Sequence, residues 1–150
     1  MSTHNVQRHG SGLSMSRRKS REYALQLLFQ TDFIGREPDS SDFREFWSDK
    51  NEQEPIRRFT EDIVKGTISQ ISELDTVIEK ITKNWLLQRM AAVDRNILRL
   101  AAYEILHRDD IPSAVTINEA LEVAKKFSSQ DSVAFINGVL DRLAKDTGKA

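Results

Sequence analysis

The chain has 150 residues, 39% of them hydrophobic and none of them cysteine. That length predicts one domain with a core of its own, because a chain of this size buries roughly 70% of its unfolded surface and needs no covalent staple. Without thiols there are no disulfides and no thiolate metal sites, which fits a reducing cytoplasmic setting, and no run of about 18 apolar residues offers a membrane span.

The net charge of −1 is unevenly placed. Residues 1–21 hold Arg8, Arg17, Arg18, Lys19 and Arg21 and no acid, so an arm of +5 sits on a body of −6. Such a split points to a nucleic-acid partner, with a solvated basic tail as the plain alternative.

Residues 1–15 lack the apolar stretch of a secretory signal and read as a disordered extension, leaving 16–150 as the folded domain. Segment 16–34 reads as a helix, with Ser16 as N-cap, Ala24, Leu27, Leu28 and Thr31 on one face, and Tyr23 and Phe29 beside them. A start at Ser16 puts the basic cluster at the positive end of the helix dipole, where each cation is misplaced by about 0.3–1 kcal/mol. An external anion explains the cluster better, and backbone N–H groups at the helix start would help to hold it.

A turn follows over 35–41, then a short helix from Asp42 to Ser48 anchored by Phe43, Phe46 and Trp47, then a polar loop over 49–54. Pro55 suits the opening of the next helix, whose stripe is Phe59, Ile63, Val64, Ile68 and Ile71. Leu74, Val77, Ile78 and Ile81 predict another helix ending near Asn84, and Trp85, Leu86 and Leu87 a buried corner. The central helix, 89–108, has a broad apolar face that includes Val93, Ile97, Leu98, Leu100, Ala101 and Ile105. A face that wide implies contacts on more than one side. Asp109, Asp110 and Pro112 stop this helix.

Residues 112–143 read as a helical hairpin. Thr116 and Glu119 have capping-box spacing, and the first stripe is Ile117, Ala120, Leu121, Ala124 and Phe127. After Ser128-Ser129-Gln130, Asp131 serves as the next N-cap, and Phe135, Ile136, Val139, Leu140 and Leu143 form the second stripe. No segment alternates with period two and no fixed repeat exists. The expectation is an all-α fold: a single compact domain of about six to seven helices, in two packed sub-bundles joined by the central helix.

No catalytic constellation can be assembled. His4 and His9 fall in the extension, and His107 at a helix C-terminus is favourable there as a cation. No metal-ligand spacing and no glycine-rich phosphate loop is present, Asp109-Asp110 reads as a helix stop, and no nucleophile has an orienting base. The chain is therefore expected to be no enzyme and to need no cofactor or metal.

Several residues are left over. Gly138 inside a helix costs near 1 kcal/mol against alanine, which suggests a close helix approach. Asn137 either caps a neighbouring backbone or contacts a ligand. Phe135 is either core or a ring for base stacking. Asp131 is first a cap, although an acid can also accept from a base amino edge. Lys125 and Lys126 form a solvated face unless the arm lies alongside them.

These residues fall into a known pattern. Arg17-Arg18-Lys19-Ser20-Arg21-Glu22, with Ala24 and Gln26-Leu27-Leu28-Phe29, resembles the opening of the NusB family. So do Asp94-Arg95-Asn96-Ile97-Leu98-Arg99 with Ala102-Tyr103-Glu104-Ile105, and Ile111-Pro112 followed by Ile117-Asn118-Glu119-Ala120. Ala124-Lys125, Phe127, Asp131-Ser132, Phe135 and Asn137-Gly138-Val139-Leu140-Asp141 complete it, and the resemblance covers residues 16–144. It implies an all-helical bacterial transcription antitermination factor, not an enzyme. Such factors bind the single-stranded boxA element of ribosomal RNA transcripts as a heterodimer with NusE, a small-subunit ribosomal protein. Through that complex they reach other Nus factors and RNA polymerase.

By position, Arg17, Arg18, Lys19 and Arg21 match the family's RNA-binding helix start, and Asp131 and Phe135 match positions near the RNA. Lys125 and Asn137 join them as candidate RNA contacts. Phe29, Arg89 and Asp94 match the NusE face. Lys19 stands where the family often has arginine, losing a bidentate fork, and Phe29 replaces a frequent tyrosine. Family members include homodimers that cover the RNA face, and the resemblance leaves both states open here. Two rivals are a protein–protein scaffold and the NusB-like domain found at the start of some ribosomal RNA cytosine methyltransferases. The further expectation is that Ser128–Phe135 lies beside the arginine-rich end of the first helix, making one RNA site.

Overall fold

The structure is a computed structural model that describes residues 2–83 and 87–149, with side chains from residue 16 onward. Among the described residues the elements are seven α-helices and one 3₁₀ turn: α1 Ser2–Ile34, α2 Ser40–Ser48, α3 Glu54–Ser69, α4 Ile71–Ile81, the turn Leu87–Arg89, α5 Ala92–His107, α6 Ser113–Phe127 and α7 Gln130–Asp146. The expected buried corner is met at Leu87, which is buried, while Asn84, Trp85 and Leu86 lie outside the described residues. The side chains of the expected extension, 1–15, lie outside them too.

Helix starts depart from the local signals where tertiary partners compete for the same side chains. α2 begins at Ser40 because Asp39 and Asp42 form a reciprocal capping box: the Asp39 carboxylate accepts from the Asp42 N–H at 3.0 Å, and the Asp42 carboxylate accepts from the Asp39 N–H at 2.8 Å. Thr116 and Glu119, read as a capping box, lie inside α6, which starts at Ser113 behind Pro112. The Thr116 hydroxyl donates instead to Glu104 at 3.0 Å, and Glu119 receives Arg18. α7 is capped by Ser129, whose Oγ accepts from the Ser132 N–H at 3.1 Å, and Asp131 sits in its first turn. α1 does not start at Ser16 but runs through it. The backbone N–H groups of the basic segment are therefore inside a helix, and no free helix start is there to hold an anion.

The apolar stripes close into two cores. Ala24, Leu27 and Leu28 of α1 pack with Phe43, Phe46 and Trp47 of α2 and with Phe59, Ile63, Val64 and Ile68 of α3. Tyr23, Phe46 and Trp47 meet edge to face, with ring centroids 4.9 to 5.8 Å apart. The second core joins Leu74 and Ile78 of α4, Ile97, Leu98, Ala101 and Ile105 of α5, Ala120, Val123 and Ala124 of α6, and Ile136, Val139, Leu140 and Leu143 of α7. α5 serves both: Leu100 turns into the first core, while Ile97, Leu98 and Ile105 turn into the second. This is the predicted pair of sub-bundles, and the wide apolar face of the central helix is its cause. Two stripe residues do not follow: Phe127 and Phe135 are exposed, each at the edge of its helix face where the core ends.

Gly138 does not mark a close approach, since a Cβ there would meet nothing within 4 Å. Gly66 does. A Cβ on it would sit 2.1 Å from Cζ of Tyr103, a ring that packs on both cores. Gly66→Ala is expected to destabilise the protein by about 1–3 kcal/mol through displacement of that ring. Gly138→Ala is expected to stabilise it by about 0.5–1 kcal/mol, because the exposed helical backbone gains propensity without a clash. Urea denaturation of the two variants checks both signs.

Candidate nucleic-acid interface

α1 lies across α3, α5 and α6, and its 3.6-residue period divides the basic segment between inside and outside. Ser20 and Arg21 face in. Ser20 Oγ donates to the Ile56 carbonyl at 3.0 Å. The Arg21 guanidinium is buried and forks onto Glu104 of α5, with Nε and Nη2 donating at 2.9 and 2.7 Å. Glu104 also accepts from Thr116 of α6. Arg18, half exposed, forks onto Glu119 of α6 at 3.1 and 2.6 Å, and Arg21 reaches the same carboxylate at 3.8 Å. The result is a ladder of alternating charge across three helices. A buried charge is tolerated only when paired and fully hydrogen-bonded, and among the described residues no buried side-chain nitrogen or oxygen lacks a partner.

Outside this ladder Lys19 pairs with Glu52, which also accepts from the Tyr23 hydroxyl. Lys126 of α6 pairs with Glu22 at 2.8 Å. Among the described residues Arg17 makes no ion pair within 4 Å; its guanidinium lies 4.4 Å from the Phe59 ring centroid. Arg21 and Arg108 approach the same ring at 5.5 and 5.4 Å. Arg108 in turn forks onto Asp110 at 2.9 Å and holds that carboxyl down to about 2.

The sequence-predicted residues thus divide into groups. Arg17, Arg18, Lys19 and Arg21 are brought together at one end of the α1–α3–α6 face, three of them reaching solvent. Lys125 and Asn137 share a groove between α6 and α7 with Leu121, Ser128, Ser129 and Val133. Asp131 and Phe135 lie one turn apart on the other flank of α7, since Asn137 is about 200° round the helix from Phe135. Phe135 presents 36% of its surface.

Segment 128–135 follows Lys126, which meets Glu22 next to Arg21, and its far part is anchored on α5. α5 runs antiparallel to α1: Arg21 meets Glu104, whereas Asp32 meets Asn96 at 2.8 Å and Arg99 at 3.1 Å. Asp94, in the first turn of α5, accepts from Ser128 Oγ at 2.5 Å and Ser132 Oγ at 2.7 Å. Asp94 thus ties the start of α7 to the same end of α5 that meets Asp32.

Of the expected partner face, Asp94 is engaged with that loop, Arg89 is exposed in the 3₁₀ turn, and Phe29 is 45% exposed. Phe33 and Ile34 extend the Phe29 surface, and Phe33 is 87% exposed. The sequence reading passed over them because the helical stripe was read as ending at Thr31. It also missed a polar junction between α1, α4 and α5. Arg99 donates to Asp75 at 2.8 and 2.9 Å and to Asp32, while Arg95 adds a contact to Asp32 at 3.1 Å. Burial alone would raise the Asp32 carboxyl, but the hydrogen bond from Asn96 and the charges of Arg99 and Arg95 outweigh it and hold it below the ordinary carboxylate range.

Among the described residues no helix is long and apolar enough to cross a membrane. The family model described as the NusB family matches residues 18–145. A curated relative, transcription antitermination protein NusB of Desulfitobacterium hafniense (strain DSM 10664 / DCB-2), is 46% identical over 136 residues, which is 90% of this chain and 92% of that one. The solved structure of T. maritima NusB is similar at 37% identity with a TM-score of 0.79, covering 87% of this chain and 91% of that one. A crystal structure of antitermination factors NusB and NusE in complex with dsRNA contains a chain that is 25% identical with a TM-score of 0.78, covering 88% and 98%.

Two outcomes test the internal electrostatics. Arg21→Met leaves the Glu104 carboxylate buried without its fork and is expected to cost roughly 3–5 kcal/mol in urea denaturation, with Glu104→Gln recovering part of the loss. Asp32, with its folded pKa lowered, contributes stability that is present above about pH 4 and is lost as pH falls through the folded value. Asp32→Asn should flatten the acid limb of a stability–pH curve measured between pH 7 and 2.

Proposed function

Because the chain belongs to the NusB family, we propose that it acts in transcription antitermination by binding the single-stranded boxA element of ribosomal RNA transcripts together with NusE. The observation that carries this reading is the outward half of the basic segment. Arg17, Arg18 and Lys19 reach solvent from the middle of α1, and Arg17 is stacked on Phe59 with no ion pair among the described residues. A cation held flat on a ring is oriented before a phosphate arrives, and it supplies the salt-dependent part of affinity. Arg21 supports this group from below through Glu104.

The second part of the RNA site is the start of α7. Phe135 offers a ring face for stacking, and Asp131 an acceptor for a base amino edge. Lys125 and Asn137 in the α6–α7 groove are a further contact set. An unpaired strand can pass from the arginines to α7, with phosphates held at one end and bases read at the other. NusE docks on the Phe29, Arg89 and Asp94 side, where Asp94 also fixes the loop that leads into α7. Other Nus factors and RNA polymerase are reached through that complex. A homodimer covering the RNA face is the resting alternative to the heterodimer. The work done is binding rather than catalysis, and it takes place in the cytoplasm.

The test is an anisotropy titration of a boxA RNA oligonucleotide with the chain alone and with NusE. Arg17→Ala and Arg18→Ala are each expected to weaken binding and to flatten the slope of log affinity against log salt by about 0.7, with the helical circular dichroism intact. NusE should tighten the wild-type complex. Unchanged affinity in both variants overturns the reading.

A further inference from the structure

The arm carries its cations in an unusual way. Lys19 has 53% of its side chain exposed, whereas its partner Glu52 has 6%. Arg18 and Glu119 repeat the pattern, at 38% and 5%. In each pair the cation is outside and the carboxylate is built into the fold behind it. Glu52 comes from the polar loop before α3 and is fixed by the Tyr23 hydroxyl as well as by Lys19. Hydrogen bonds from Lys19 and Tyr23 hold its carboxyl below the ordinary range, so it is an anion at neutral pH.

A pair of this kind behaves differently at two distances. Beyond a Debye length of about 8 Å, Lys19 and Glu52 cancel, and a passing polyanion feels little from them. At contact, the ammonium has three N–H donors, of which Glu52 takes one, so a phosphate that arrives in register still finds donors aimed at it. A bare lysine would attract any RNA. A lysine with a resident carboxylate rewards only the strand whose phosphate falls at the right place.

We propose that Glu52 is a specificity determinant for the RNA, acting through Lys19: it positions the ammonium and removes its indiscriminate pull. This rests on the RNA-binding reading given above. Glu119 has the same relation to Arg18, but it also touches the buried Arg21, so Glu52 is the cleaner place to look. Glu52→Gln removes the charge alone, because Gln Oε1 can still accept from Tyr23 and Lys19.

The experiment titrates the full chain with a boxA RNA oligonucleotide and with a shuffled oligonucleotide of equal length, at several salt concentrations, for wild type, Glu52→Gln, Lys19→Gln and the double variant. Glu52→Gln is expected to bind the shuffled RNA about two- to fivefold more tightly. Its salt slope on that RNA should steepen by about 0.7. Affinity for boxA RNA should change less, so the specificity ratio falls, and the effect should vanish when Lys19 is already glutamine. Lys19→Gln alters only an exposed side chain and tests the claim from the other side: it should weaken boxA RNA and leave the shuffled RNA nearly unchanged. An unchanged ratio and slope in a folded Glu52→Gln, or an equal loss on both RNAs in Lys19→Gln, overturns the proposal while boxA binding by the wild type stands. Absence of salt-dependent binding by the wild type to either RNA overturns both the proposal and the reading beneath it.

Discussion

The Arg21–Glu104 fork is the contact on which the placement of the basic segment depends. A guanidinium and a carboxylate, both buried, must meet in one geometry or leave a charge unpaired in a low-dielectric interior. Meeting that demand fixes the rotation of α1 about its axis and its height against α5. Thr116 ties the same carboxylate to α6, so three helices from distant parts of the chain share one junction. Once Arg21 is locked, the helical period sets the rest: Arg17 and Arg18, one turn earlier on the same side, stand half-buried against Phe59 and Glu119, Ser20 turns inward, and Lys19 turns out.

The outward cations have been placed with equal care. Arg18, Lys19 and Lys126 each meet a carboxylate contributed by another element, and Arg17 meets an aromatic ring. A positive arm on a negative body therefore does not mean a bare positive patch. Local neutralisation keeps the segment folded onto its own domain, while the exposed sides of the same groups remain available to an outside anion. The C-terminal end of α1 has a different chemistry, in which the Asp32–Arg99–Asp75 junction sets α1 and α4 against α5 and leaves Phe29, Phe33 and Ile34 on the surface. One helix thus offers a cationic middle and an apolar end, and the antiparallel α5 determines which other elements stand beside each.

Much of this was legible in the residues. Apolar spacing placed the helices, the width of the stripe on the central helix foretold two cores, and Pro55 and Pro112 marked helix boundaries where the structure has them. The order of motifs pointed to the family. The local capping signals were less dependable. Thr116 and Glu119 have the spacing of a cap, but Glu104 and Arg18 compete for them and win, because satisfying a buried or half-buried charge outweighs a capping bond worth about 1 kcal/mol. Gly138 reads in sequence as a close helix approach, but only the fold brings Tyr103 onto Gly66 and leaves Gly138 in open space.

By itself, then, the sequence determined the class of fold, the helices and their inward faces, and the residue types from which an RNA site would be drawn, because periodicity and charge are local properties of the chain. Tertiary structure alone decided which of those residues stand together. It buried Arg21, exposed Phe135, tied the start of α7 to Asp94 of α5, and set a carboxylate behind Arg18, Lys19 and Arg21. The physical reason is that these are pairings between residues tens of positions apart, made by the crossing of α1 with α3, α5 and α6, and no spacing along the chain encodes them.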